Sequence, residues 1–164
     1  MKKIEIRQKI EIKYSRISIN YIDALNFMEN RVSEILQNKN KELIWFLNHD
    51  HIYTIGKSGN QNEVLKKTDV PILKTNRGGK ITYHGPGQRI VYFVINLNKR
   101  KKDIRQFVNI IELSAIKVLK KFDIDATTYS DRVGIWINKR TKEIEKEKKI
   151  GAIGLRIRKW VAYH

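Results

Sequence analysis

The 164-residue chain contains no cysteine, which excludes disulfides and thiolate metal sites from within it. Only two prolines occur, both in the middle of the chain, and no proline-rich or low-complexity linker divides it. Long apolar runs are absent as well. The longest, Ile90 to Leu97, is the size of a strand and far short of the roughly 20 residues that span a bilayer. The amino-terminal MKKIEIRQKIEIKY is charged throughout and has no apolar h-region of a secretory signal, so the expected location is cytoplasmic.

Acidic residues are scarce relative to basic ones, 17 against 34, a formal net charge of +17. One reading of such an excess is nucleic-acid binding, because lysine and arginine neutralise phosphates and release counterions. The excess is mostly lysine scattered along a chain that is also rich in isoleucine and asparagine, and no aromatic-interleaved basic stripe accompanies it. Solvated surface, or steering of an acidic partner, accounts for it better. Hydrophobic content of 41% and a length of 164 residues fit one globular domain with its own core, spanning residues 1–164.

What the chain does have is concentrated between Arg77 and Gln88, which reads RGGKITYHGPGQ. Gly78, Gly79, Gly85, Pro86 and Gly87 stand among polar hydrogen-bonding side chains, the composition of a loop that wraps a ligand closely. Lys80-Ile81-Thr82-Tyr83 alternates and favours a short strand between two glycine turns. Gly85-Pro86-Gly87 predicts a tight, stiff turn that fixes the directions of His84 and Gln88.

Around this block the pattern mixes helices with several strands. Residues 3–14 alternate as a strand pair or one long, bent strand. Ser18 or Asn20 caps a helix whose apolar positions run from Tyr21 to Leu36. Leu43–Asn48, Ile52–Ile55, Ile90–Leu97 and Val133–Ile137 read as strands, and Lys57–Thr68 as a polar loop. Asp103 with Gln106 opens a second helix carrying Ile104, Phe107, Ile111, Val118 and Phe122. The charged run from Asn138 to Lys148 reads as a solvated hairpin connection, and Ile150–Val161 as one long strand with Gly151 and Gly154 inside it. Trp136 and Trp160 are expected in the core. The sum is an α+β fold, a mixed β-sheet with packed helices.

Four ordered segments also resemble a family. RGG-x-x-T-Y-H-G-P-G-Q, preceded by Asn48-His49 and Tyr53-Thr54-Ile55-Gly56, followed by Asp131-Arg132-Val133-Gly134-Ile135-Trp136 and by Lys149-Ile150-Gly151-Ala152-Ile153-Gly154 running on to His164, resembles the octanoyltransferases of lipoate biosynthesis. The resemblance implies the fold of the biotin and lipoate protein ligases, here without that fold's C-terminal segment. It implies transfer of an octanoyl group from octanoyl-acyl carrier protein to a lysine of lipoyl domains, those of 2-oxo acid dehydrogenases and the glycine cleavage H protein. In the family a cysteine beyond the position of His164 forms the acyl-enzyme and a lysine assists it. By resemblance that lysine is Lys149, and the acyl pocket is lined by Arg77, Gly78, Gly79, Lys80, Ile81, Thr82, Tyr83 and His84 together with Ala152, Ile153 and Gly154. The donor is already a thioester, so the resemblance implies neither ATP nor a metal cofactor.

The residues alone leave alternatives open. Lys149 closes a run of charged residues and reads equally as solvated surface. Arg77 either anchors its loop or meets the acyl carrier. His84 is the histidine best placed to shape a site, whereas His49 reads as structural, and His49 with His51 has the i, i+2 spacing of a zinc pair on a strand. Arg156, Arg158 and Lys159 form a basic edge. The missing cysteine also suits two other classes: an acyl-binding protein without catalysis, or an ATP-dependent lipoate or biotin ligase, which needs no thiol.

Overall fold

The computed structural model describes residues 10–66, 68–140 and 145–164, so residues 3–9 of the expected first strand lie outside it. In chain order the elements are β1 (Glu11–Tyr14), α1 (Tyr21–Leu36), β2 (Leu43–Leu47), β3 (Ile52–Ile55), β4 (Ile72–Lys74), β5 (Ile81–His84), β6 (Ile90–Asn96), α2 (Ile104–Lys120), β7 (Ile135–Arg140), β8 (Glu145–Gly151), β9 (Arg156–Arg158) and β10 (Val161–Tyr163). They gather into two compact units, Met1–Lys101 with Gly154–His164, and Lys102–Ile153. No helix among the described residues is long and apolar enough to cross a membrane.

The first unit is built on a five-stranded mixed sheet in the order β1-β2-β6-β10-β9. β1 and β2 run parallel and the other neighbours antiparallel. Helix α1 starts where the Asn20 side chain accepts the amides of Ile22 and Asp23, satisfying donors that the first turn leaves unpaired. Its Tyr21, Ala24, Met28, Val32 and Ile35 recur at helical spacing and are buried. Most of that stripe packs with Leu43, Trp45 and Leu47 of β2, Tyr92 and Val94 of β6, and Val161 and Tyr163 of β10. Burying an aliphatic side chain of this kind contributes about 1.5–3 kcal/mol, so this cluster is the main apolar support of the unit. The buried Glu42 carboxylate is answered by the Arg100 guanidinium, at 2.5 and 2.7 Å, and by the Asn96 amide at 2.6 Å.

A three-stranded sheet, β4-β3-β5, completes this unit, with β3 parallel to β4 and antiparallel to β5. The Gly85-Pro86-Gly87 turn closes as expected. The Gln88 amide donates to the Gly85 carbonyl at 3.1 Å and Gly87 takes φ +81°, the type II pattern with proline first and glycine second.

The second unit holds α2 and the β7–β8 hairpin. Asp103 accepts the Gln106 amide at 2.9 Å and starts α2 as its sequence indicated. The helix leaves Ile104, Ile110, Leu113 and Val118 exposed and half-buries Phe107, Ile111 and Leu119; Glu112 is its one buried residue, and Phe122 just beyond it is 71% exposed.

Three further expectations need correction. The charged run after Ile137 is not a connection alone, because β7 continues to Arg140 and β8 begins at Glu145, with Asn138 opposite Glu147. Ile150–Val161 is not one strand. β8 ends at Gly151, and β9 and β10 form a separate hairpin whose two-residue turn, Lys159-Trp160, has φ +48° and +63°. Two positive φ values match the right-handed twist of a hairpin, which is why such turns favour asparagine and glycine. Neither residue carries that signal here. Trp160 accordingly sits on the turn, 38% exposed, and not in the core. β9 lies at the sheet edge, and Arg156 on it pairs with Glu29 at 2.6 Å.

Candidate functional site

In the first unit the candidate site begins at Arg77. Its side chain is only 5% exposed. Nε donates to Thr54 Oγ1 at 3.0 Å, Nη1 to Gly78 O at 2.8 Å, and Nη2 to Thr54 O at 2.7 Å and Lys80 O at 2.8 Å. The cation is therefore held by carbonyl and hydroxyl dipoles that belong to β3 and to its own loop. Burial lowers its pKa below the usual arginine value. Glycines make room for it. A Cβ on Gly56 would stand 2.9 Å from Arg77 Nη1 and 2.2 Å from Gly79 O, and one on Gly154 would stand 2.8 Å from Gly78 O. Gly79 itself takes φ +85°, open to glycine at no steric cost. The Gly78 amide donates to Leu155 O at 3.2 Å, so the RGG loop and the chain entering β9 touch.

Beneath this loop lies a buried polar cluster. His49 places Nδ1 2.6 Å from Ile19 O, which can only accept, so Nδ1 carries the proton and Nε2 accepts from the Tyr92 hydroxyl at 2.7 Å. The Tyr21 hydroxyl meets His164 Nε2 at 2.5 Å. His84 lies between Thr54 Oγ1 and Gln88 Oε1, each 3.2 Å away. The Tyr21 ring centroid is 5.2 Å from that of His49, 5.9 Å from His84 and 5.7 Å from His164. Burial disfavours every charged form here. It lowers His49, takes His84 down to about 4 and His164 to about 3, and raises Tyr21 to about 12. The Arg77 charge adds to the lowering at His84 and His164. At neutral pH the cluster is three uncharged imidazoles and two protonated phenols around one guanidinium.

Of the remaining loop residues, Lys80 and Tyr83 are exposed, whereas Ile81 and Thr82 are half-buried. Lys80 pairs with Glu63 at 3.0 Å. Tyr83 bonds His51 Nδ1 through its hydroxyl and stacks obliquely on Tyr53. Ile81 and Thr82 lie on β5, where Thr82 is opposite Thr54. His49 and His51 thus hold different partners, and no group of three metal-binding side chains occurs among the described residues. An open cleft of about 420 Å³ is lined by Ile55, Gly59, Asn60, Gln61, Ile72 and Lys74, none of which was expected among the acyl-pocket residues.

In the second unit Lys149 lies on β8 opposite Trp136. Its ammonium is 4.9 Å from the centre of the Trp136 indole. Arg132 stands 4.6 Å from the same ring and 4.2 Å from Tyr129, and is held by both Glu147 oxygens at 2.7 Å. The buried Glu112 carboxylate accepts the Gly134 amide at 2.8 Å and ties α2 to the start of β7. Ala152 is exposed and Ile153 half-buried.

The structure therefore joins Arg77–His84 to Gly154 within one unit, while Lys149, Ala152 and Ile153 belong to the other. Sequence reasoning missed Thr54, Tyr21 and Tyr92 as members of the polar cluster, and Gly134 and Glu112 beside the lysine strand. Nothing local marks the three hydroxyl residues, since Tyr21 and Tyr92 fit an apolar period and their partners lie 43 to 143 residues away.

Residues 20–164 match the model of the lipoyl protein ligase A/B catalytic domain. The chain is 40% identical over 154 residues to the octanoyltransferase of Parvibaculum lavamentivorans, covering 94% of this chain and 68% of that protein. It is 46% identical over 147 residues to the octanoyltransferase of the Wolbachia of Brugia malayi, covering 89% and 69%. Among solved structures it resembles Plasmodium falciparum LipL1 in complex with lipoate, with a TM-score of 0.64 and 19% identity over 95% of this chain and 46% of that one. It also resembles the bipartite lipoate protein ligase of Thermoplasma acidophilum, with a TM-score of 0.63 and 17% identity over 94% and 59%. The chain thus spans about half the length of those two solved proteins and just over two thirds of the first two octanoyltransferases. By sequence across nine tenths of its length, and by fold, the chain belongs to the lipoyl protein ligase A/B catalytic domain family and, within it, to the octanoyltransferases.

Proposed function

We propose that residues 1–164 form one catalytic domain that moves an octanoyl group from octanoyl-acyl carrier protein to the target lysine of lipoyl domains. The single observation that carries this reading is the 40–46% identity to octanoyltransferases across nine tenths of the chain. In the proposed reaction a cysteine thiolate outside these 164 residues attacks the donor thioester and expels the carrier's thiol, leaving an acyl-enzyme. The lipoyl-domain amine then attacks that intermediate and regenerates the thiol. Lys149 favours the thiolate by its charge and exchanges protons as each tetrahedral intermediate collapses. The RGG loop and Gly154 receive the acyl chain. Arg77 serves by keeping that loop closed, since its donors are spent on Thr54, Gly78 and Lys80. The basic surface favours encounter with an acidic carrier protein.

The test is transfer by the protein as it is made in its own cell, from octanoyl-acyl carrier protein to a lipoyl domain, read as octanoylation of the target lysine by mass spectrometry. Transfer without ATP, lost on alkylation of a thiol and reduced about 10²–10⁴-fold by Lys149→Ala, is the expected result. Lipoylation that requires ATP would reverse the reading in favour of a ligase. A second reading, acyl binding without catalysis, is favoured by the absence of cysteine from the chain. It expects octanoyl-carrier binding with no covalent intermediate and no transfer.

A further inference from the structure

The second unit contains a side-chain arrangement gathered around one ammonium. Gly134 has φ +135°, and a Cβ there would lie 2.3 Å from Lys149 Cε and 2.9 Å from Lys149 Nζ. The lysine side chain thus runs across the residue that leads into the facing strand and has no side chain of its own. It ends over the Trp136 ring, 4.9 Å from its centre. The β7–β8 register is shifted at this point: Ile135 is opposite Gly151 and Trp136 opposite Lys149, so β8 carries one extra residue between them. Bulges re-aim side chains, and this one stands next to Lys149. Trp136 is itself fixed. Arg132, held by Glu147, covers the ring, and Tyr129 meets it edge-on with centroids 6.1 Å apart. The indole N–H is buried and has no hydrogen-bond partner among the described residues. An unsatisfied buried donor is destabilising, so this ring is placed for its face and not for its N–H.

We infer that Gly134 and Trp136 are positioning residues for Lys149, Gly134 by leaving a channel for its alkyl chain and Trp136 by receiving its ammonium on the ring face. Glu112 secures the channel by binding the Gly134 amide. The relevance of this holding to octanoyl transfer rests on the role proposed for Lys149, but the holding itself does not.

The experiment separates the two. Trace acylation of the full protein with an N-hydroxysuccinimide ester, quantified lysine by lysine by mass spectrometry, reads how freely Lys149 reacts, with exposed Lys117 and Lys120 of α2 as references. Loss of the ring in Trp136→Leu is expected to change Lys149 labelling about two- to fivefold while both references stay constant, and Trp136→Phe is expected to restore most of the original value. Gly134→Ala is expected to change Lys149 labelling in the same way. Should its φ +135° leave the hairpin unfolded, the Trp136 pair still decides the matter, because phenylalanine and leucine differ in the ring alone. Equal Lys149 labelling in Trp136→Leu, Trp136→Phe and the unaltered protein overturns the inference. Changed labelling with unchanged octanoyl transfer upholds it and shows that transfer does not depend on the holding.

Discussion

Arg77 has two readings in the sequence, an anchor for its loop or a contact for the acyl carrier. Its guanidinium is spent on three backbone carbonyls and the Thr54 hydroxyl. Replacing it by leucine leaves those carbonyls buried without donors, at about 1–3 kcal/mol each with partial relief by water. Arg77→Leu is therefore expected to cost about 3–5 kcal/mol in urea denaturation, and a change below 1 kcal/mol would mean that the loop closes without it. The histidines below make the fold sensitive to acid. All three have folded pKa values below the ordinary 6.5, with His84 near 4 and His164 near 3. Above pH 6.5 they are neutral whether folded or not and stability is flat. As pH falls below 6.5 the unfolded chain takes up protons that the folded cluster refuses, so stability is lost progressively toward pH 3–4. For His84 and His164 the loss is on the order of a few kcal/mol each. Thermal melts between pH 8 and 4 should show this decline, and His84→Gln, which keeps an amide in the cluster without a titrating ring, should flatten part of it.

At the scale of elements, two features depart from what local pattern reveals, and each for a physical reason. The β9–β10 turn uses Lys159 and Trp160 at φ +48° and +63°, where glycine and asparagine meet less strain. Replacing the pair with Asn-Gly is expected to raise stability by about 1 kcal/mol, measured by the urea midpoint, and a fall would show that the tryptophan ring earns its place by packing. Because neither residue is a turn former, the segment from Ile150 to Val161 reads as one strand, and only the antiparallel pairing of Arg158 with Val161 breaks it. By contrast α1, β2, β3, β5 and β6 were legible, since each carries a helical or alternating period bounded by a cap, glycine or turn that the neighbouring chain does not contradict. The candidate site was legible in the same uneven way. Arg77, His84 and Gly154 stand together, drawn from motifs that glycine and polar density marked, whereas Tyr21 and Tyr92 join the cluster only through contacts with distant residues. For α2 the sequence fixes the helix and not its partner. Its exposed Ile110 and Leu113, with Phe122 just past its end, are expected to bind an apolar fluorescent dye, and Leu113→Glu with Phe122→Glu to abolish most of that signal without loss of helical circular dichroism.

At the scale of the whole molecule, the chain leaves its first unit at Lys101 and returns to it at Gly154. What it brings back is central. β10 lies between β6 and β9, with Val161, Ala162 and Tyr163 all buried, and His164 supplies the Tyr21 contact. Removal of residues 154–164 is expected to deprive the first unit of its cooperative urea transition and expose it to limited proteolysis, even though all of α1, β2 and β6 remain.

The position of β10 also sets a schedule. Asn96 of β6 pairs with Val161 of β10, 65 residues later in the chain. At roughly 5–20 residues per second, a ribosome needs about 3–13 seconds to make that interval. During those seconds β6 presents an open edge of unpaired amides and carbonyls beside β2, a template for any other nascent strand in reach. This protein's vulnerable period is thus written into its topology: the β6 edge stays open until residues 161–163 emerge to close it.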